Sequence, residues 1–449
     1  MNQMNSKRLV AVIGAGAAGL YAARKLAEAG VHTVVFNRDI KPGGLAEYGI
    51  YHSKHKMKLG LRNQFRRIMD TPNLTYYGNV TVGKAGDLSL DDLRGMGFQV
   101  VLVAVGAQGT KWLGLPGEDL TGVYHAKDLV YHYNLLPPFS QQKYPIGQRV
   151  VLVGVGNVML DIAHYAIRDL KVGQVTAIAR RGPADVKFTK KEMANMGANL
   201  DVEALKAEIE RTRPILEAVG QDANAAQDFI LSALPKAKEP VSDTLFRLEF
   251  LAAPVGIVGD KNGRVTGVEV EETTLVLRDD GRTSAKGLGV NRVLPADTVV
   301  FCIGDKVDAA LGLPLDKWQE FCKAPQPRYP INEVSFEAYD PQREEIIPDV
   351  FLVGWAREAS TGLVGKARKD GQCGAAAAIQ YLDTLPEVRG IETMFAQVEA
   401  HLTALGKPVV TTALWRKLDA AEQAEAERQG VAYYKFPHNA AMLEVMGLG

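Results

Sequence analysis

Hydrophobic positions mark out short buried strands joined by glycine turns. RLVAVI, residues 8–13, is a continuous apolar run of strand length, and GAGAAG follows at 14–19. LYAARKLAEAG then repeats apolar residues at helical spacing until Gly30 closes it, and HTVVFN, 32–37, is a second strand. The order returns at 149, where RVVLVGVGNVMLDIAHYAIRD predicts a strand, a turn at Gly154 and Gly156, and a helix carrying Asp161. QVTAIARRG, 174–182, supplies its following strand. VVLVAVGA, 100–107, and DTVVFCIGD, 297–305, predict further buried strands, with Cys302 inside an apolar core. The block 347–382 predicts a strand, a Gly354-Trp355 turn, a polar turn with Thr361 and Gly362, and an Ala-rich helix. Residues 201–240 and 415–429 carry charges at helical spacing and show no evident chemistry. Alternating strands and helices predict an α/β chain with two Rossmann-like units.

Each glycine turn implies a ligand. Gly14 permits a tight turn, Gly16 lets a pyrophosphate approach the backbone, and Gly19 lets helix and strand pack closely. The helix N-terminus beyond, starting near Ala17, offers N–H groups and a positive dipole to phosphates. Gly154 and Gly156 repeat this arrangement, with Met159 where a third small residue is expected. Two such units predict two separate nucleotides. Arg180 and Arg181, at the tip of the strand in the second unit, suit a ribose 2′-phosphate, where an acid would select NAD. The strand ending at Ala107 is expected to pass beneath a nucleotide, and Trp355 to cover a flat ring. GLVGK lacks the spacing of a phosphate loop.

Composition narrows the class. A chain of 449 residues implies two or three domains. With 52 basic and 52 acidic residues, no global attraction to nucleic acid or anionic membrane is expected. No apolar run approaches the roughly 18 residues of a spanning helix, and MNQMNSKR has no signal-peptide core. Cys302, Cys322 and Cys373 are widely separated, which argues against a disulfide framework and favours a reducing cytoplasm. His52 and His55 have metal-like spacing without a second ligand pair, so no metal is expected and KHKMK reads as a solvated, flexible stretch.

GAGAAG, PGGLAEYGI (42–50), GVGNVMLD (154–161), RRGPADVKFTKKE (180–192), GWAREASTGLVGKA (354–367) and LWRKLDAAEQAEAERQG (414–430) together resemble one family. It is the adrenodoxin reductase type of ferredoxin–NADP reductase, within the glutathione-reductase superfamily. The resemblance spans nearly the whole chain. It implies FAD at the first unit and NADPH at the second. It also implies a discontinuous FAD domain, 1–108 plus 335–449, with the NADPH domain 109–334 inserted. Carried over by motif, Gly14, Gly16, Ala17 and Gly19 would hold the FAD pyrophosphate, with Asn37 at the ribose. Leu45 would lie near the flavin, Trp355, Gly362 and Leu363 would contact its ring, and Gly44, Ala107, Gly354 and Thr361 would also bind cofactor. Gly154, Gly156, Asn157 and Val158 would meet the NADPH pyrophosphate, and Arg180 and Arg181 the 2′-phosphate. The chain departs from the family at Asn37, which replaces an acid, at Met159, and at Ala359-Ser360, which replaces Gly-Pro.

The implied activity is hydride transfer from NADPH to FAD and single-electron release to a ferredoxin-type carrier, with no acid–base residue required. No C-x2-C or C-x4-C pair exists, so a disulfide-reductase dithiol is excluded, as is an iron–sulfur relay within the chain. Candidate docking cations for an acidic carrier are Arg62, Arg66 and Arg67, and Lys187, Lys190 and Lys191. Two alternatives are a reductase subunit like the glutamate synthase small subunit and a degenerate flavoprotein without turnover. Asn37→Glu is expected to tighten FAD by restoring the family's carboxylate.

Overall fold

The structure, a computed structural model, describes residues 7–359 and 362–449. The chain forms two compact units. The first comprises Met1–Gly109, Tyr131–Gln141 and Asp305–Gly449, and the second Thr110–Val130 and Gln142–Gly304. Residues 131–141 and 305–334, which the family pattern assigns to the inserted segment, thus cluster with the first unit.

A seven-stranded sheet organises the first unit, in the order Glu337–Asp340, Glu345–Leu352, Val100–Val103, Leu9–Ile13, His32–Asn37, Leu74–Gly78, Val410–Thr411. Its middle strands are parallel, with Leu9 beside His32, Val10 beside Val100 and Val350 beside Val101. Leu9–Ile13 is wholly buried because helices and loops cover both faces, as a central parallel strand requires. Val10 and Val12 enter one core, whereas Leu9, Ala11 and Ile13 enter the other. Helix Ala17–Glu28 lies against helix Val364–Leu382 so closely that a Cβ on Gly371 would be 2.2 Å from the Ala18 carbonyl oxygen. Glycine is therefore required at that crossing.

Five parallel strands form the sheet of the second unit: Val123–His125, Thr298–Phe301, Arg149–Val153, Gln174–Ile178 and Leu245–Glu249. A separate antiparallel sheet of Ala252–Gly259, Val265–Leu277 and Thr283–Pro295 packs on it through Val268 and Val270. Helices Val202–Ala218 and Ala223–Leu231 account for the charged 201–240 region. Cys302 is buried, as expected, and burial raises its thiol pKa well above the ordinary range, so it is inert. Among the described residues no helix is long and apolar enough to cross a membrane.

Candidate functional site

The first glycine turn is shaped by close backbone contact. Gly14 adopts φ +101°, and a Cβ there would lie 2.6 Å from the Ala104 carbonyl oxygen. A Cβ on Gly19 would be only 2.0 Å from the Gly14 carbonyl oxygen. Gly16 differs. It caps helix Ala17–Glu28 without a side chain, and a Cβ on it would meet nothing within 4 Å. The helix start thus has no side-chain cap, open space where a Gly16 side chain would be, and no acidic residue in its first turn. An anionic diphosphate fits this cradle.

PGGLAEYGI folds over the same turn. Gly43 N–H donates to the Ala15 carbonyl at 2.7 Å, and a Cβ on Gly44 would be 3.0 Å from Gly16 Cα. Leu45, half-buried, opens the short helix Leu45–Tyr48. Ala107 is buried behind the strand that ends the apolar run at 103.

Asn37 lies beneath this turn. Its Oδ1 accepts the Ala15 N–H at 3.0 Å. Its amide donates to the carbonyls of Asp39 (2.8 Å) and Lys41 (3.0 Å), and to Tyr76 (3.3 Å). The side chain is buried and braces the glycine turn from below.

The Gly354-Trp355 turn seats against the same helix, since a Cβ on Gly354 would be 2.6 Å from Ala18 Cβ. Asp370 fixes it, accepting the Gly354 N–H at 2.5 Å and the Arg357 guanidinium at 2.5 and 3.0 Å. Trp355 is half-buried there. Beyond Gly362 (φ +77°), Leu363 caps helix Val364–Leu382 without a side-chain bond and is 75% exposed. A bare leucine at an open helix end suits a flat apolar ligand. Thr361 and Ser360 lie outside the described residues.

In the second unit, Gly154 adopts φ +115°, with a Cβ 2.7 Å from the Cys302 carbonyl oxygen, and Gly156 again faces open space. Helix Asn157–His164 begins there with no side-chain cap and no acid in its first turn. Asn157 Oδ1 accepts the Thr189 N–H at 2.8 Å, and Lys187 N–H donates to Val155 O at 2.9 Å, so the 187–189 segment is pinned beside the turn. Val158 is 41% exposed, facing outward, whereas Met159 is wholly buried. Met159 therefore fills the core and leaves the open space at Gly156 clear. The two arginines also separate. Arg181 pairs with Asp185 at 3.0 Å, while Arg180 is exposed.

The proposed docking cations are not equivalent. Lys187, Lys190, Lys191 and Arg67 are exposed, with Lys190 also 5.1 Å from the Phe229 ring. Arg62 turns inward and grips Glu47 at 2.8 Å, and Arg66 grips Asp419 at 2.7 and 2.9 Å. KHKMK is not a loose stretch either: helix His55–Met69 runs through it, and Lys58 is fully buried. Lys58 and Arg62 belong to a buried ion cluster with Lys41, Glu47, Glu422 and Lys435. Sequence reasoning missed this cluster because its members lie far apart along the chain, Glu47 and Lys435 by 388 positions.

A family model described as pyridine nucleotide-disulphide oxidoreductase matches residues 8–233. NADPH-ferredoxin reductase FprA of Mycobacterium leprae (strain TN) is 28% identical over 97% of this chain and 98% of its own. The mitochondrial NADPH:adrenodoxin oxidoreductase of Arabidopsis thaliana is 29% identical over 79% of this chain and 78% of its own. The solved structure of Mycobacterium tuberculosis FprA in complex with NADPH matches with a TM-score of 0.80 at 27% identity, covering 98% of this chain and 100% of that one. With half of its length fitted by that model, the chain belongs to the pyridine nucleotide-disulphide oxidoreductase family.

Proposed function

We propose that this protein is an FAD-dependent NADPH oxidoreductase that delivers electrons to a ferredoxin-type one-electron acceptor. The observation that carries it is the pair of uncapped helix ends, at Gly16 and Gly156, each opening on space that a diphosphate fits. Relatives named NADPH-ferredoxin reductase and NADPH:adrenodoxin oxidoreductase support the same assignment. The absence of a cysteine pair separates it from dithiol members of its family.

FAD, when bound, supplies hydride acceptance and single-electron release. The chain's own residues bind and orient. Gly14, Gly16, Ala17 and Gly19 would hold the FAD pyrophosphate, while Gly44, Leu45, Gly354, Trp355 and Leu363 would frame its ring. The Asn157 and Val158 N–H groups would meet the NADPH pyrophosphate, and exposed Arg180 its 2′-phosphate. Lys187, Lys190 and Lys191 would steer an acidic carrier. Free cysteines suit a reducing compartment, which we take to be the cytoplasm. The degenerate alternative loses its support, because Asn37 and Met159 both have structural work within the fold.

Anaerobic titration tests this. NADPH should bleach the flavin absorbance, and oxidised ferredoxin should restore it. No bleaching would remove the enzyme assignment, whereas bleaching that neither ferredoxin nor cytochrome reverses would remove the acceptor.

A further inference from the structure

The ion cluster in the first unit carries more buried positive charge than negative. Lys41, Lys58 and Lys435 are at most 5% exposed and the Arg62 side chain 11%, against two carboxylates, Glu47 and Glu422. Glu47 is the hub: Lys41 approaches its Oε1 at 3.3 Å, Lys435 at 3.4 Å, and Arg62 grips both oxygens. Glu422 pairs with Lys41 and accepts the Phe436 N–H at 3.3 Å. Lys435 also donates to the carbonyls of Glu47 (2.8 Å) and Asn134 (2.9 Å). Among the described residues no carboxylate is within ion-pair distance of Lys58; its amine donates to Asn134 Oδ1. The Lys58 and Lys435 amines share the Tyr433 ring, at 5.7 and 5.8 Å from its centre, and Lys435 lies 4.9 Å from the Tyr48 ring.

The cluster touches the nucleotide cradle through few atoms. A Cβ on Gly43 would be 2.9 Å from Glu47 Cβ, so Glu47 backs the Gly43–Gly44 turn that lies on Gly16. Lys435 reaches that hub from the segment following helix Thr412–Gln429. Tyr433 adds a bond to the His52 carbonyl at 3.3 Å, and Pro437 accepts the Ser140 hydroxyl at 2.6 Å.

We propose that this cluster is a proton-sensitive fastener, tying the 433–437 segment to the FAD-facing turn, with Lys58 as the group whose protonation undoes it. The proposal rests on FAD being the ligand of the first unit. Its basis is a charge balance that cannot close, because a dry cluster with two carboxylates does not hold four cations. Burial, then the facing Lys435, bring Lys58 down to about 6 against the pull of Glu47. Burial brings Lys435 down to about 8, with Glu47 and Glu422 opposing and Lys41 and Arg62 assisting. Once released into water, both amines regain ordinary lysine affinity for protons. From alkaline pH down to about 6, the released state therefore holds more protons than the fastened one, so acid favours release. The released state holds up to two extra protons above about pH 8 and one from there down to about 6, which bounds the effect at about tenfold per pH unit in that lower range.

Two measurements on the full chain decide it. Hydrogen exchange of the 433–436 amides, divided by intrinsic rates, should show protection falling several-fold from pH 8.5 to 6.5. Lys58→Met should flatten that dependence below about pH 7, where Lys435 contributes little, and Lys58→Gln, which keeps a donor for Asn134, should do the same if Met perturbs folding. FAD release, followed by flavin fluorescence, should track the exchange in each variant. Protection independent of pH in the native chain, or a native pH profile in both variants, overturns the proposal. Release that ignores pH while the segment loosens overturns the link to FAD. Failure to bind FAD at any pH would strike the functional assignment instead, and exchange would still judge the fastener.

Discussion

The two glycine turns share a plan and differ in how they are closed. In the first unit, backbone lies on backbone: Gly19 against Gly14, Gly44 against Gly16, and buried Asn37 beneath Ala15. In the second, a methionine fills the core, a valine stands exposed in the first helical turn, and the flanking segment hangs from the Asn157 side chain and one backbone bond. A cradle closed on several sides by glycine backbone retains its ligand. One left open beside an exposed segment exchanges it. Prosthetic FAD and diffusing NADPH need these two behaviours.

Substitutions can break this contrast. The largest effect is expected from Gly19→Ala, whose methyl must displace the Gly14 carbonyl. Overpacking of this kind costs about 1–3 kcal/mol, and FAD affinity should fall up to about a hundredfold, read as flavin content after purification. Undiminished flavin would show that the close packing is not what retains it. Next comes Asn37→Glu. The carboxylate cannot donate to the Asp39 and Lys41 carbonyls, and buried acceptors without donors cost about 1–3 kcal/mol. Melting temperature and FAD retention should both drop, opposite to what the family pattern suggests. Tighter FAD would instead favour the ribose role. The smallest effect belongs to the second unit. Arg180→Ala should raise KM for NADPH about tenfold, the worth of one charge-assisted bond, with little change for NADH. Arg181→Ala, already engaged by Asp185, should do less, and equal losses would return both arginines to one clamp.

Legibility in the sequence followed the range of the interactions. Strand–turn–helix order in both units was readable because continuous apolar runs and glycines act within about thirty residues. The role of Asn37 was not, since a strand-tip position names a neighbourhood and leaves open what the side chain bonds. Lys58 and Arg62 were misread for a physical reason: charged residues close together in sequence look like a solvated face until the distant Tyr433 ring covers them. The antiparallel sheet at 252–295 also went unseen, because its outer strand is largely exposed and bears glycines.

The Gly371–Ala18 contact has a consequence for synthesis on the ribosome. The five-stranded sheet of the second unit needs nothing beyond Phe301, so its strands are all present once that residue emerges. The helix that carries the first nucleotide turn must wait for Gly371, and its sheet for Val410. The part of the protein made first is therefore the part completed last.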